Sequence, residues 1–258
     1  MKASAARDWV PAIGVFVIVL VVWEVGFQVL DVQSFLIPRP TVIGEQLGAD
    51  WSTLARGLLF TGTEAVVGLI VGVALGTTAG FATARWASAR EVLLPVAIGA
   101  STIPIIAFAP ITLNWFGPES LLPRITIVAL MVMFPVMVNT IRGLTNVDPA
   151  ALELMSSYAA GDRQTLSKLR GPNALPYWFT ALKIATTLSV IGAVVGEFFG
   201  GPLYALGIYI TLQTGASRYP AAWAAIVLAC VLGIALYIGA VALERFTIPW
   251  YTARETAR

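Results

Sequence analysis

The sequence predicts an all-α, polytopic membrane protein with about six transmembrane helices, on three observations. Of its 258 residues, 58% are hydrophobic and 12% are charged, about half the charged share of a soluble domain. Mean hydropathy is +0.82, so water is not the solvent for most of the surface. Six apolar stretches approach or exceed the roughly 20 residues a helix needs to cross a hydrocarbon core.

These stretches run over about 10–30, 54–81, 92–116, 121–138, 178–199 and 221–243. The first is expected to remain as a helix. It is too long for a signal-peptide core, and Asp31, Val32 and Gln33 follow it in place of a small-residue cleavage site. The fourth begins at Pro123 and Arg124 and contains Pro135, which neighbouring helices can accommodate in a membrane. No intervening segment is long enough to fold alone, so 1–258 reads as a single transmembrane domain.

Orientation follows from the cations. An even number of spans puts both termini on one side. With the termini inside, the cytoplasmic segments hold Lys2, Arg7, Arg85, Arg90, Arg142, Arg163, Lys168, Arg170, Arg245, Arg254 and Arg258, and the outer ones hold Arg39, Arg56, Arg124 and Arg218. Eleven against four is a positive-inside bias. Lys183, near the inner end of the fifth span, is expected to snorkel to that face. Between the first two spans, 35–41 reads as a rigid turn. Ile43, Leu47, Trp51, Leu54 and Leu58 then fall at helical spacing, predicting an amphipathic helix at the outer interface.

The second span carries Gly68, Gly72, Gly76 and Gly80, every fourth residue. That spacing lines one helix face with glycine and predicts close approach of another backbone. Glu24, Glu64 and Glu197 lie within apolar runs, where a carboxylate needs a cavity or a partner. Glu64 reads as an interhelix partner and Glu24 as a group at the lipid interface or in helix packing. Glu197 reads either as a pathway or gate lining or as a capping, interhelix hydrogen-bond acceptor. Pro104, Pro110 and Asn114 mark a kinked third span that can line a pathway.

The composition excludes several functions. Histidine is absent and Cys230, the one cysteine, sits in an apolar run. There is thus no disulfide framework, no metal cluster and no nucleophile–base pair for a membrane-embedded enzyme. No Lys/Arg-rich run suggests nucleic acid. No GxxxxGK[ST] phosphate loop is present, so any ATP chemistry belongs to another subunit.

The longest polar interruption, 139–177, is the segment that carries function. Asp148-Pro149 is a helix start, with Asp as cap and Pro at the first position. A helix to about Ala160 is expected, with Leu152 and Met155 on one face. Gly161-Asp162 breaks it, and a second short helix over 163–169 ends at Gly171-Pro172. A long loop with its own helices is usually functional.

This loop resembles the EAA signature of type I ABC importer permeases: a Glu followed by two small residues, a Gly six residues after the Glu, and a Leu-Pro pair beyond. Here the Glu is Glu153, the small positions are Leu154 and Met155, the Gly position is Ala159, and the pair is Gly171-Pro172. Gly161 stands where it can take over the turn. The run from Gln164 to Tyr177 is similar to the nitrate/sulfonate/taurine branch. So are Pro104–Pro110 with Trp115-Phe116-Gly117, Phe134-Pro135, Asn139-Thr140, Gly143-Leu144, Ile191–Phe198 and the closing Pro249-Trp250. The fifth-span wording leans toward members that take up vitamin-related precursors.

The resemblance implies the type I importer permease fold, with 148–171 as a cytoplasmic coupling element. Asp148, Leu152, Glu153, Met155, Ala159, Gly161 and Leu166 would contact an ABC ATPase. That ATPase would hold ATP and Mg, and the permease itself would need no cofactor or metal. An extracytoplasmic binding protein would deliver substrate, and two copies of the permease would form the pathway. An ATP-independent secondary transporter or channel is the alternative, and it leaves the signature loop unexplained.

Overall fold

The centre of the molecule is set by the glycine stripe. In the computed structural model, which describes residues 2–31, 33 and 37–250, the helices are α1 (Lys2–Val29), α2 (Pro40–Ala49), α3 (Trp51–Arg85), α4 (Ala87–Ala100), α5 (Ala109–Phe116), α6 (Leu122–Thr145), α7 (Pro149–Ser157), α8 (Asp162–Thr165), α9 (Gly171–Glu197), α10 (Leu206–Gly215) and α11 (Tyr219–Thr247). Gly68, Gly72, Gly76 and Gly80 are all buried and lie against α6. A Cβ at Gly72 would stand 2.6 Å from the Ala129 carbonyl, and one at Gly80 would stand 2.7 Å from Thr140 Cβ. Only glycine lets the two backbones come this close. Val128, Val132 and Val136 of α6 fill the seam, joined by Ala181, Ala185 and Ala193 of α9. The tight contact expected of the stripe is therefore made within the chain.

Among the described residues, four helical runs are long and apolar enough to cross a membrane: α3, α6, Asp162–Glu197 and α11. Arg90–Ala100 and Ile105–Phe116 form a fifth crossing if taken as one span bent by 78°. The apolar part of α1, Ile13–Val29, is shorter. Many of its side chains, among them Val15, Phe16, Ile18 and Val22, are more than half exposed, as lipid-facing residues are.

Several expectations are corrected. The third stretch is broken, not one kinked helix. Pro104 has no N–H to donate and pushes the residue before it out of helical conformation. The Ser101 hydroxyl donates to the Ile98 carbonyl at 2.6 Å, and the Thr102 hydroxyl joins its own N–H on the Gly99 carbonyl, at 2.7 and 3.1 Å. The amphipathic face holds at Ile43 and Leu54, which are buried, and at Leu47 and Leu58, which pack on them. Trp51 is off that face and 51% exposed, because the turn at Asp50 separates α2 from α3. Part of the turn over 35–41 lies outside the described residues. Of the two readings of Glu24, helix packing describes what it does: it accepts from Thr41 N at 3.0 Å and Thr41 Oγ1 at 2.8 Å, capping the first turn of α2. Lys183 does not snorkel but pairs with Glu244 of α11 at 2.9 Å.

Candidate functional site

Two polar assemblies stand at opposite ends of the bundle. One is the loop between α6 and α9. Asp148 Oδ1 accepts from Ala150 N at 3.0 Å, and Pro149 opens α7. The helix ends at Ser157, short of Ala160. Ala160 N bonds Met155 O and Ala159 N bonds Ser156 O, while Ala159 takes φ +52°. This is a Schellman closure, whose left-handed residue is usually glycine. The turn thus falls on the signature's Gly position, occupied here by alanine. Gly161 does not take it over: it is extended, at φ −71° and ψ 166°, and serves as the N-cap of α8.

A left-handed alanine costs about 1–2 kcal/mol. Ala159→Gly is accordingly expected to steady the loop by about 1 kcal/mol, slowing amide exchange over 155–161 roughly five-fold. Exchange that is unchanged or faster in the variant would show that this turn is not strained.

Beyond α8 the chain does not stop at Gly171-Pro172. It makes one wide turn, Leu166–Arg170, with Gly171 N bonded to Leu166 O, and runs on into α9. The wide turn absorbs the ring of Pro172, which an ordinary helical turn would not. The loop is clamped at its base by Asn173, whose amide donates to Gly143 O at 2.8 Å and Asn146 O at 3.1 Å. Asn146 in turn donates to the Tyr177 hydroxyl at 3.1 Å. On the loop, Glu153 is exposed and Leu152 and Met155 are half-buried. Leu154 is 57% exposed, Tyr158 77% and Leu166 41%. Tyr158 and Asn173 were not among the residues the sequence singled out.

The opposite end is held by Arg124. It is fully buried and paired with Glu64 of α3, its Nε donating to Glu64 Oε1. Its other nitrogens donate to Ser120 O at 2.7 Å, Gly200 O at 2.9 Å and Pro118 O at 3.2 Å. One side chain thus ties α3 to the α5–α6 and α9–α10 connections. Its place among the outer loop charges is corrected. Eleven against three remains.

Beside it, Glu197 is also fully buried. It accepts from Thr61 Oγ1 at 2.7 Å and from Gly207 N at 2.6 Å. Thr61 Oγ1 accepts from Leu206 N at 3.2 Å. A carboxylate from α9 and a hydroxyl from α3 thereby satisfy two N–H groups of the first turn of α10, which also favours negative charge. Of the two readings of Glu197, the interhelix capping one describes its surroundings. Pro104, Pro110 and Asn114 are exposed along the broken span and do not share its site.

The bundle of apolar helices, with a loop of short helices at one end and a buried ionic clasp at the other, is that of a polytopic membrane protein. Residues 65–248 match the family described as binding-protein-dependent transport system inner membrane component. The chain belongs to that family: it is the transmembrane permease subunit of an ABC importer. It is 32% identical over 240 residues to the formylaminopyrimidine transport permease protein ThiX of Halalkalibacterium halodurans, covering 91% of this chain and 93% of that one. It is 29% identical to the riboflavin transport system permease protein RibX of Chloroflexus aurantiacus, covering 94% and 91%. The taurine transport system permease protein TauC of Escherichia coli is 24% identical, covering 95% and 91%.

Proposed function

We propose that 148–171 is the coupling element through which a separate ATPase drives this permease. The observation that carries the reading is the exposure of Leu154, Tyr158 and Leu166 on this loop. Apolar side chains presented this way suit a protein partner. The Asn173 clamp and the unbroken run Asp162–Glu197 would pass a movement of the loop straight to a span. In this arrangement Asp148 and Gly161 set the ends of the short helices. Leu152 and Met155 form the half-sheltered part of the contact, Leu166 an exposed part, and Glu153 supplies a charge. ATP and Mg stay with the partner.

The permease works as two copies, with both termini cytoplasmic and the loop on that side, in keeping with the cation asymmetry. Pro104, Pro110 and Asn114 line the pathway between the copies. Substrate arrives from an extracytoplasmic binding protein. The resemblance to ThiX and RibX favours a nitrogen-heterocyclic vitamin or its precursor over a sulfonate, taurine or nitrate.

The test is made in the reconstituted complex, with Glu153→Arg alone and with Leu154→Asp combined with Tyr158→Asp. The double variant is expected to weaken ATPase association about 30-fold, the effect of losing a contact worth ~2 kcal/mol. Substrate-stimulated hydrolysis and uptake should fall with it, while the permease remains folded and inserted. Assembly, regulated hydrolysis and uptake at the parent rate in both variants would rule out this face as the coupling surface.

A further inference from the structure

A cavity of about 440 Å³ opens at the loop end of the bundle, lined by Arg90 of α4, Arg142 and Thr145 of α6, Asn146, and Tyr177 of α9. It has two guanidinium groups and no carboxylate in its lining. Neither arginine makes an ion pair among the described residues. Tyr177 accepts from the Asn146 amide, which leaves its hydroxyl hydrogen for another acceptor. The cavity is therefore rich in donors and poor in acceptors. Thr145 Oγ1 already donates to Ile141 O at 2.8 Å, so the free donors are the two guanidinium groups and the Tyr177 hydroxyl. Such a set suits a phosphate, which each fork can hold through two parallel bonds.

The surroundings say which phosphate. Trp86, one residue before α4, is 59% exposed, with the Arg85 guanidinium 5.9 Å from its ring centroid. Tryptophan and arginine so placed mark a membrane–water boundary. From Arg90, Leu93 and Val96 follow at three-residue steps along α4, 41% and 59% exposed. An apolar strip thus leads away from the basic cavity, and a soluble anion would have no use for it. We propose that Arg90 and Arg142 bind the headgroup phosphate of an anionic phospholipid whose chains lie along this face of α4. Basic pockets between helices at the membrane surface bind lipid headgroups in this manner. Such a lipid ties the broken span to the end of α6 from which the loop departs.

The test uses the full-length permease in its assembled complex, released from nanodiscs containing phosphatidylglycerol or phosphatidylcholine into native mass spectrometry. Retained phosphatidylglycerol should fall at least ten-fold in Arg90→Gln/Arg142→Gln. Retention should be largely preserved in Arg90→Lys/Arg142→Lys, which keeps the charge, and unchanged in Arg245→Gln, which removes an exposed arginine of α11. Equal retention in the Gln double variant and the parent would overturn the proposal. So would equal retention of phosphatidylcholine. Complete displacement of phosphatidylglycerol by millimolar inorganic phosphate would assign the cavity to a soluble anion. Loss of ATPase from the Gln double variant with lipid retention intact would assign these arginines to the ATPase. Either result overturns the lipid reading.

Discussion

Gly72→Leu and Gly76→Leu are each expected to reduce recovery of folded, monodisperse permease more than ten-fold. A Cβ at Gly72 would meet the Ala129 carbonyl at 2.6 Å and Val132 Cβ at 2.8 Å; one at Gly76 would collide with the Met133 carbonyl and meet Val136 Cβ at 2.9 Å. These obstacles include backbone, which cannot swing aside as a side-chain tip can. Overpacking a core ordinarily costs about 1–3 kcal/mol, and leucine here must part α3 from α6 along their whole seam. The matched control is Gly233→Leu on α11, where a Cβ meets nothing within 4 Å. Chromatographic recovery after detergent extraction is the measurement. Parent-like recovery of both stripe variants would mean the two backbones are not this close.

The second large effect is expected at the buried ion pair. Arg124→Met strands the Glu64 carboxylate in a dry interior and removes the donor that three carbonyls share. Breaking one partner of a buried pair costs about 3–5 kcal/mol. For a chain of this size that is a fall in melting temperature on the order of 10 °C. Arg124→Met combined with Glu64→Leu removes the stranded charge and should recover part of the loss, so the two changes should not be additive. Thermal unfolding of purified protein decides it. A single variant melting within about 2 °C of the parent would show that the pair contributes little, as some buried pairs do.

Much of the fold was legible because glycine and charge leave strong marks. Four glycines at i+4 spacing name a packing face whatever the partner, although only the structure shows that the partner is α6. Other features gave no such mark. Arg124 beside Pro123 at the start of an apolar run looks like the edge of a span, and a charge count assigns it to a loop. Nothing local says that Glu64, 60 residues earlier, waits for it. α10 was missed because ten residues cannot cross a membrane, and a search for spans passes over it. Its existence rests on Glu197 and Thr61, which lie far away in sequence.

At the loop, Asp148 was readable as a cap because its chemistry is local. The strained turn at Ala159 was not, since alanine carries no sign of positive φ. The wide turn after Leu166 was hidden for a related reason. Gly-Pro normally ends a helix, and the pairing that lets this one continue is made by the backbone.

That continuity has a mechanical consequence. Asp162–Glu197 is a single helical run of 36 residues, about 54 Å long at 1.5 Å per residue. Burial grips it from Phe179 to Glu197, with Phe179, Ala181, Ala185, Ala193 and Glu197 almost wholly enclosed, while 162–168 stands mostly in the open. A rod gripped along one half is a handle fixed to the body that grips it. A sideways load at the open end is carried as a bending moment into the packed half. The last residue of that half is Glu197, which accepts from Gly207 N at 2.6 Å. α10 is thus fastened to the same rod that begins in the loop.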